Sequence, residues 1–325
     1  MGPEISVVIP MRNEAPNVDP VYRELTSTLT AFGRSYELVV VDDGSSDGTF
    51  DLLAALQAKD ARLRVVRFRR NFGQTAAFAA GFKYARGAYI ITSDGDRQND
   101  PADIPAMVEM LETKNLDIVC GWRKDRKDAF INRRLPSMIA NAIISRATGV
   151  RLHDYGCSLK VFRAEVVKQM KLYGEMHRFL PAIASEFGVT IGERVVNHRK
   201  RTHGKSNYGI TRTFRVILDL MTVKFLSSYS TRPLQMFGSI GMVLNVLGLI
   251  AGARVVYDRF FGFQSANRPL LFVSIALILG GMQFLATGLL AELTARTHYE
   301  SQDKPTYVIK EIRETPPVRG ELISA

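Results

Sequence analysis

Two carboxylates that flank a single glycine are the residues of this chain best suited to chemistry. Asp94, Gly95 and Asp96 follow an apolar run over 88–92 that predicts a buried strand. Carboxylates at a strand end can hold a hard divalent cation, and such a cation would stabilise the negative charge of a departing diphosphate. The same residues are also typical of an ordinary acidic turn, so the elements around them must decide between the two interpretations.

A second acidic turn, Asp42 and Asp43, also follows an apolar run. The first part of the chain alternates such runs with segments of helical periodicity, which predicts an α/β fold with a mostly parallel sheet and helices on both faces. Ligands bind such sheets beyond the carboxyl ends of the strands, where both turns lie. The predicted strands are 5–9, 36–41, 63–68, 88–92 and 117–120, and the predicted helices are 18–32, 49–59, 74–84 and 104–111.

Several classes of site are disfavoured by composition and motifs. Neither acidic turn carries a glycine-rich loop of the GxGxxG or GxxxxGKS/T kind, which argues against a dinucleotide-binding fold and a P-loop. Cys120 and Cys157 are the only cysteines and lie far apart, which argues against a zinc site or a disulfide framework. The 325 residues carry a net charge of +11, so we expect a phosphorylated or otherwise anionic partner.

Two apolar runs near the end of the chain, 236–253 and 270–291, are each long enough to cross a bilayer. The short linker between them, 254–269, predicts a hairpin with both ends on one side of the membrane. Glycines in both runs are expected to let the helices approach closely. These glycines are Gly248, Gly252, Gly280 and Gly281. Two helices buried in a large soluble core are the alternative.

The chain opens on a predicted strand with no export signal before it, so we expect the soluble domain and both ends of the hairpin to be cytoplasmic. The excess of Lys and Arg that usually marks cytoplasmic loops does not decide the orientation, because the linker itself is rich in arginine. Between the soluble domain and the hairpin, 210–228 has the periodicity of an amphipathic helix lying in the membrane interface. A helix packed on the core is the competing interpretation.

Basic residues form two clusters in the second half of the chain. Neither cluster carries the interleaved aromatic residues that stack on bases, so we expect no nucleic acid partner. Trp122, the only tryptophan, is expected either to stack on a ligand or to lie at the edge of the core. The clusters are Arg123, Lys124, Arg126, Lys127, Arg133 and Arg134, and Arg199, Lys200, Arg201, Lys205, Arg212 and Arg215.

The motifs in combination resemble family 2 glycosyltransferases with a GT-A fold. More narrowly they resemble the polyprenyl-phosphate sugar transferases, a group that includes dolichol-phosphate mannose synthase, and above all the bacterial undecaprenyl-phosphate 4-deoxy-4-formamido-arabinose transferases. The resemblance runs over about 5–308. It rests on SVVIP at 6–10 with Asn13 and Glu14, VDDGSSD at 41–47, RNFGQ at 70–74, DGDRQ at 94–98, HDYGCSLK at 153–160, GKSNY at 204–208 and the hairpin.

The resemblance implies a nucleotide sugar as donor, Mg²⁺ or Mn²⁺ as metal and a polyprenyl phosphate as acceptor. It assigns the nucleotide sugar to Pro10, Asn13, Glu14, Asp42, Asp43 and Asp94, the metal to Asp94, Asp96 and Gln98, and catalysis to Asp94, Asp96 and Asp154. One of the pair Asp42 and Asp43 is open to a purely structural role as a turn cap. Asp154 is expected to orient the sugar, to organise a basic residue, to act as a base or to cap a turn.

Two positions depart from the usual family pattern. Gly95 stands where the family often has alanine, a change that we expect to cost little. Arg97 stands where leucine is usual, so it is expected either to touch a phosphate or to point to solvent. The acceptor phosphate is already an anion and needs little activation before it attacks the anomeric carbon. The resemblance implies contacts with Arg123, Arg133 or Arg134, Ser137 and Lys205, and the basic stretch 199–208, which has no acidic residue, adds Arg201.

The sequence therefore predicts a multi-pass enzyme of the inner membrane that transfers one sugar, with inversion, from a UDP-sugar rather than GDP-mannose. The expected parts are a cytoplasmic catalytic domain (1–209), an interfacial region (210–232), two transmembrane helices (233–293) and a cytoplasmic tail (294–325). A processive polysaccharide synthase is less favoured, because the chain lacks a QxxRW motif and further membrane helices. A membrane-anchored nucleic-acid- or lipid-binding protein would leave the acidic turns unexplained. The identity of the sugar and homo-oligomer formation are left open.

Overall fold

In a computed structural model of the chain, the described residues are 2–124, 145, 149–170, 172, 176–199, 233–261, 268–301 and 307–315. The chain divides into two compact units. The first comprises Met1–Asp219 and Pro305–Ala325, and the second comprises Leu220–Lys304. The predicted interfacial helix at 210–228 lies outside the described residues.

The described part of the first unit contains a sheet of eight strands in the order β7-β5-β6-β4-β1-β2-β3-β8. Strands β4, β1, β2 and β3 are parallel neighbours, whereas β6 and β8 run antiparallel to the strands beside them. The expectation of a mostly parallel sheet is therefore confirmed. The strands are β1 (Ile5–Met11), β2 (Tyr36–Asp42), β3 (Leu63–Phe68), β4 (Tyr89–Thr92), β5 (Ile118–Trp122), β6 (Lys160–Arg163), β7 (Ile191–Val195) and β8 (Ile309–Arg313).

Helices cover both faces of this sheet, as the alternating pattern predicts. Val40 and Val65 point to the face on which the apolar sides of α1, α2 and α4 pack. Their neighbours Val41 and Val66 point to the opposite face, where α3 packs through its alanines. The helices of this unit are α1 (Ala15–Phe32), α2 (Thr49–Gln57), α3 (Gln74–Tyr84), α4 (Ile104–Thr113), α5 (Ala164–Gln169) and α6 (Leu180–Ala184).

Three strands were not predicted, and each is short and partly polar. β6 carries Lys160 and Arg163 at its two ends, and three of the five residues of β8 are charged. Short, charged strands give a weak pattern, because much of their stabilisation comes from backbone pairing with a neighbour. β8 pairs antiparallel with β3, and Tyr307 just before it stacks on Phe68 with ring centroids 5.0 Å apart. The chain therefore returns to the first sheet after the apolar hairpin.

The described part of the second unit is a pair of long helices, α7 (Pro233–Phe260) and α8 (Arg268–Ser301). The predicted linker at 254–269 is wrong at its start, because α7 continues to Phe260. Arg254 and Asp258 form an ion pair one turn apart, with 3.1 Å between nitrogen and oxygen, which supports that last part of the helix.

The segments Phe237–Phe260 and Pro269–Ala291 are long and apolar enough to cross a membrane. Most of their side chains are exposed. In each segment, only 11% of an apolar stretch of 18 residues is buried. Two helices buried in a soluble core would show the opposite, so the structure disfavours that alternative.

Small residues line part of the contact between the two helices. A Cβ atom at Gly248 would lie 2.7 Å from Ile278 Cγ1, and one at Gly281 would lie 2.7 Å from the carbonyl oxygen of Gly241. Gly252 lies beside Ser274, whose hydroxyl donates to the carbonyl oxygen of Gly248 across 2.8 Å. Gly280 has open space around its Cα. The predicted close approach is thus found at Gly248, Gly252 and Gly281, and the expectation for Gly280 is wrong.

Candidate active site

The candidate site lies at the carboxyl ends of four neighbouring parallel strands. β1 pairs with both β2 and β4, and β2 pairs with β3. The loops that follow these strands, 12–14, 43–48, 69–73 and 93–100, are therefore brought to one edge of the sheet. Both acidic turns predicted from the sequence belong to this set of loops.

Asp42 and Asp43 have different surroundings, although they are adjacent. Asp42 is fully buried, and its Oδ1 accepts a hydrogen bond from the backbone N–H of Ser45 at 3.0 Å. Its Oδ2 has no hydrogen-bond partner among the described residues and lies 3.6 Å from Arg67 Nε. A buried oxygen of this kind is costly unless a ligand supplies a donor.

Asp43 holds the loop after β3. One carboxylate oxygen accepts from the N–H of Phe72 at 2.7 Å, and the other accepts from the N–H of Gly73 at 3.0 Å. Burial raises the pKa of Asp43 above its ordinary value, while these two amides favour the ionised form. Asp43 therefore connects two loops, whereas the turn-cap hydrogen bond that the sequence left open for one of the pair is the one that Asp42 Oδ1 accepts from the N–H of Ser45.

Gly44 lets the same two loops touch. It has a φ of +68°, and a Cβ atom at this position would lie 2.5 Å from the carbonyl carbon of Arg70. Both the positive φ and the close backbone approach favour glycine here. The DDGS motif is therefore tied to the RNFGQ motif through backbone geometry as well as through Asp43.

Asn13 and Glu14 connect the loop after β1 to the loop after β2. The N–H of Asn13 donates to Ser45 Oγ, and Asn13 Oδ1 accepts from the N–H of Ser46, both at 2.9 Å. The N–H of Glu14 donates to Thr49 Oγ1 at 3.0 Å. Pro10 pairs with Val41 in the sheet, directly before the acidic turn. The predicted nucleotide-binding residues of the two loops are thus brought together.

The Asp94-Gly95-Asp96 turn follows β4. Asp94 is partly buried, and Asp96 is buried with 5% of its surface exposed. Burial raises the pKa of Asp94, the neighbouring carboxylate of Asp96 raises it further, and the Ser158 hydroxyl lowers it. A Cβ atom at Gly95 would lie 2.8 Å from Met11 Cγ, so alanine at this position requires Met11 to move.

Polar residues from three segments of the chain support this turn. Gln74 Nε2 donates to Asp94 Oδ1 at 2.7 Å, and Asn99 Nδ2 donates to Ser158 Oγ at 2.7 Å. The buried ammonium of Lys160 donates to backbone carbonyls of the loop that carries Ser158. Gln74, Ser158 and Lys160 lie inside the RNFGQ and HDYGCSLK motifs, and this was the available signal for them.

Gln98 and Arg97 follow the two carboxylates. The backbone N–H of Gln98 donates to Asp96 Oδ1 at 3.1 Å. The guanidinium of Arg97 pairs with Glu24 of α1 at 2.6 Å, and its contact with a phosphate stays a prediction. The side chain is 28% exposed and therefore does not simply point to solvent.

Arg123 and Asp154 form a buried ion pair. Nε and Nη2 of Arg123 donate to the two oxygens of Asp154 at 2.7 and 3.0 Å, and the side chains are 11% and 5% exposed. Of the roles expected for Asp154, the structure shows that it organises a basic residue.

Trp122 stacks on His153 with ring centroids 4.2 Å apart. The other predicted acceptor contacts, Arg133, Arg134, Ser137, Arg201 and Lys205, lie outside the described residues.

The donor set of the acidic turn fits a hard divalent cation. Asp94 and Asp96 are two carboxylates in a largely buried place, and burial together with the neighbouring Asp96 raises the pKa of Asp94. Among the described residues, no group of three or more His, Cys, Asp and Glu side chains converges on one point. The described chain therefore offers two carboxylates, and a bound metal would need further ligands from substrate or water.

Comparison with known proteins agrees with this arrangement. Residues 6–171 match Glycosyl transferase family 2. The chain is 47% identical over 315 residues to a dodecaprenyl-phosphate galacturonate synthase from Rhizobium johnstonii, which covers 95% of this chain and 93% of that protein. It is 34% identical over 311 residues to an undecaprenyl-phosphate 4-deoxy-4-formamido-L-arabinose transferase from Edwardsiella ictaluri, with 95% and 94% coverage.

Solved structures share the fold at low identity. Glucosyl-3-phosphoglycerate synthase from Mycobacterium tuberculosis, determined with Mn²⁺ and UDP-glucose, has a TM-score of 0.54 at 18% identity and covers 70% of this chain and 79% of its own. Mannosyl-3-phosphoglycerate synthase from Rubrobacter xylanophilus has a TM-score of 0.56 at 15% identity, with 69% and 74% coverage. The sheet with its strand-end acidic turns, the family match and the full-length relatives lead to one conclusion. The chain is an enzyme of glycosyl transferase family 2.

Proposed function

We propose that this enzyme transfers a single sugar, with inversion, from a UDP-sugar to a polyprenyl phosphate in a reaction that requires Mg²⁺ or Mn²⁺. The observation that carries the proposal is the placement of Asp42, Asp94 and Asp96 at one edge of the sheet, at the ends of the neighbouring strands β2 and β4 on either side of β1. The two relatives compared above are named for polyprenyl-phosphate acceptors.

Asp42 would bind the nucleoside part of the donor. Its Oδ2 is buried without a hydrogen-bond donor from the described chain, so a base N–H or a ribose hydroxyl would satisfy it. Asp43 keeps the loop after β3 in place through its two amide contacts. Pro10, Asn13 and Glu14 would form the wall of the nucleoside site on the β1 side.

Asp94 and Asp96 would hold the metal, with Gln98 at the end of the same turn. A bound Mg²⁺ or Mn²⁺ would supply positive charge that stabilises the departing nucleoside diphosphate. Gln74 would keep Asp94 oriented toward that ion through its 2.7 Å hydrogen bond. Because a neutral amide donates this bond, it favours the ionised carboxylate without adding a charge that competes with the metal.

The acceptor phosphate would need positioning rather than deprotonation. It is already an anion at neutral pH, so one of its oxygens attacks the anomeric carbon while the bond to the diphosphate breaks. Asp154 is committed to Arg123 by two hydrogen bonds, and we assign it the role of fixing that guanidinium rather than that of a base. Arg133 or Arg134, Ser137, Arg201 and Lys205 would supply further acceptor contacts.

The sugar that we propose is galacturonate. The relative named for dodecaprenyl-phosphate galacturonate is 47% identical over nearly the whole chain, compared with 34% for the formamido-arabinose transferase from Edwardsiella ictaluri. Because both relatives are matched over more than nine-tenths of their length, this difference is not caused by partial coverage.

The catalytic domain would lie on the cytoplasmic side of the inner membrane. The chain enters α7 after the first unit and returns to the sheet of that unit at β8. If both helices cross the bilayer, the two ends of the hairpin lie on the side that holds the catalytic domain. Nucleotide sugars are cytoplasmic substrates, which supports that side for the domain.

Mass spectrometry of the lipid product tests the proposal. Purified enzyme would be incubated with undecaprenyl phosphate and Mn²⁺, and separately with UDP-galacturonate, UDP-4-deoxy-4-formamido-arabinose, UDP-glucose and GDP-mannose. We expect one product, in which the lipid phosphate has gained a single hexuronate. Lipid-linked product with another donor only would overturn the choice of sugar. A polymer ladder, or no lipid-linked sugar with any donor, would overturn the proposed reaction.

A further inference from the structure

One carboxylate on α1 holds two arginines from separate loops. Glu24 Oε1 accepts from Arg97 Nη2 at 2.6 Å, and Glu24 Oε2 accepts from Arg199 Nη1 at 2.5 Å. The three side chains are between 27% and 41% exposed, so the cluster is partly shielded from water. Because each oxygen serves a different arginine, Glu24 is a bridge between two loops rather than one half of a simple ion pair.

The first arginine belongs to the candidate metal turn. Arg97 directly follows Asp96 and has a φ of +63°, in the left-handed region that residues with a Cβ rarely adopt. A non-glycine conformation in this region is unfavourable and persists where surrounding contacts hold it. The hydrogen bond to Glu24 is such a contact. Because Arg97 is adjacent to Asp96, this bond also holds the backbone of Asp96 in place.

The second arginine fastens another segment to the same turn. Arg199 Nη2 donates to Asp100 Oδ1 at 2.7 Å, and the backbone N–H of Arg199 donates to the carbonyl oxygen of Gln98 at 3.0 Å. His198 and Asn99 form a single antiparallel bridge beside it. The stretch that ends at Arg199 therefore lies along the metal turn.

Arg199 also stands at a boundary in the sequence. The residues directly after it, 200–208, contain Arg201 and Lys205, which the proposed function assigns to the acceptor phosphate. Glu24 therefore connects the loop proposed for the metal with the first residue of the stretch proposed for the acceptor. Its partners on the two sides lie 73 and 175 residues away in the chain.

We propose that Glu24 is a positioning residue. It would keep the metal turn, 94–97, and Arg199 at the start of the acceptor stretch in fixed positions relative to each other. This inference rests on the proposed function for the roles of the two loops. Glu24 itself touches no substrate in this scheme. Its loss would let both loops move relative to α1, so transfer to the lipid would suffer while the nucleoside contact at Asp42 would not.

Glu24→Gln is the primary test, because it keeps the shape of the side chain and removes its charge. Two readouts are needed. The first is hydrogen exchange, measured by mass spectrometry on peptides that cover 93–103 and 194–199, which reports the bridge without requiring any reaction. The second is kcat/KM for undecaprenyl phosphate, compared with the Kd for UDP measured by calorimetry in excess EDTA, where the nucleoside contact at Asp42 is tested without a metal held by the turn.

We expect exchange to rise in both peptides together, kcat/KM for the lipid to fall by about 10- to 100-fold, and the Kd for UDP to stay within about twofold. Asp19→Asn is the matched control on the same helix. Asp19 pairs with Arg23 at the surface, where the side chains are 53% and 75% exposed. This variant should change neither readout.

Arg199→Lys is a second variant that retains the positive charge. A lysine ammonium cannot span Glu24 and Asp100 as the guanidinium fork does, so we expect the same effects at smaller size. If Glu24→Gln does not fold, Arg199→Lys decides the question alone with the same two readouts.

Two results would overturn the inference. One is unchanged exchange in the two peptides. The other is a loss of UDP affinity as large as the loss of kcat/KM for the lipid, since that would show general damage to the site. Failure of the proposed function gives a different pattern, because wild-type enzyme would then form no lipid-linked sugar while the exchange data would still report whether Glu24 joins the two loops.

Discussion

Gln74 donates a hydrogen bond from Nε2 to Oδ1 of Asp94 across 2.7 Å, so the first residue of α3 orients a carboxylate at the end of β4. Burial and the neighbouring Asp96 raise the pKa of Asp94, whereas a hydrogen bond to its oxygen favours the ionised form. The RNFGQ motif therefore supports the acidic turn directly, in addition to any contact with substrate.

Removal of this donor should weaken metal binding. A hydrogen bond to a charged group is worth about 1.5–3 kcal/mol, which corresponds to roughly a 10- to 100-fold change in affinity. We expect Gln74→Leu to raise the Mn²⁺ concentration for half-maximal activity by that factor, and electron paramagnetic resonance of Mn²⁺ in the presence of UDP to show the same loss. Gln57→Leu is the control, because Gln57 bonds Thr315 at an exposed position. Equal effects of the two substitutions would contradict the role of Gln74.

Gly44→Ala should destabilise the fold more than Gly33→Ala, a substitution at a glycine that also has a positive φ but has open space around it. Gly33 also has a positive φ, +77°, but a Cβ there meets nothing within 4 Å, whereas a Cβ at Gly44 would lie 2.5 Å from the backbone of Arg70. We expect Gly33→Ala to cost about 1–2 kcal/mol from φ alone and Gly44→Ala to cost about 1–3 kcal/mol more. Denaturant unfolding measures both, and UDP affinity should fall only for Gly44→Ala. Equal unfolding free energies would show that the two loops do not need their close approach.

Asp154→Asn should destabilise the enzyme by about 3–5 kcal/mol, because it leaves Arg123 without its charge partner in a place where that side chain is 11% exposed. The control is Glu311→Gln. Glu311 pairs with Arg313 at the surface, with side chains 34% and 46% exposed, and its loss should cost about 1 kcal/mol or less. Thermal and denaturant unfolding of the detergent-solubilised protein measure the difference. An Asp154→Asn variant that keeps full stability and loses transfer would instead place Asp154 in contact with substrate.

Labelling in intact cells should reveal the orientation of the hairpin. We expect Ser265→Cys, between the two apolar helices, to react with a membrane-impermeant maleimide, and Ser301→Cys, at the end of α8, to stay unlabelled until the cells are opened. The native Cys120 and Cys157 are buried and give a low background. Labelling of Ser301→Cys with protection of Ser265→Cys would reverse the proposed orientation.

Much of the site could be predicted because it depends on the order of strands and helices along the chain. The alternation of strands and helices places each turn at the carboxyl end of its strand, so Asp42 and Asp94 meet at one edge whatever the details of packing. The strand β8 could not be predicted, because a charged five-residue segment pairs with β3 only after a long apolar insertion. The pairing of Arg97 with Glu24 depends on where α1 lies over the turn, which local sequence does not specify.

Loss of one metal ligand tests the proposed reaction most directly. Formation of the lipid-linked sugar would be followed by mass spectrometry for wild-type enzyme and Asp96→Asn, each with Mn²⁺, with excess EDTA, and after Mn²⁺ is restored. We expect EDTA to abolish transfer by wild-type enzyme, restored Mn²⁺ to recover it, and Asp96→Asn to be slower by roughly 100-fold or more while its unfolding remains cooperative. Full transfer by wild-type enzyme in excess EDTA would contradict a metal held by Asp94 and Asp96.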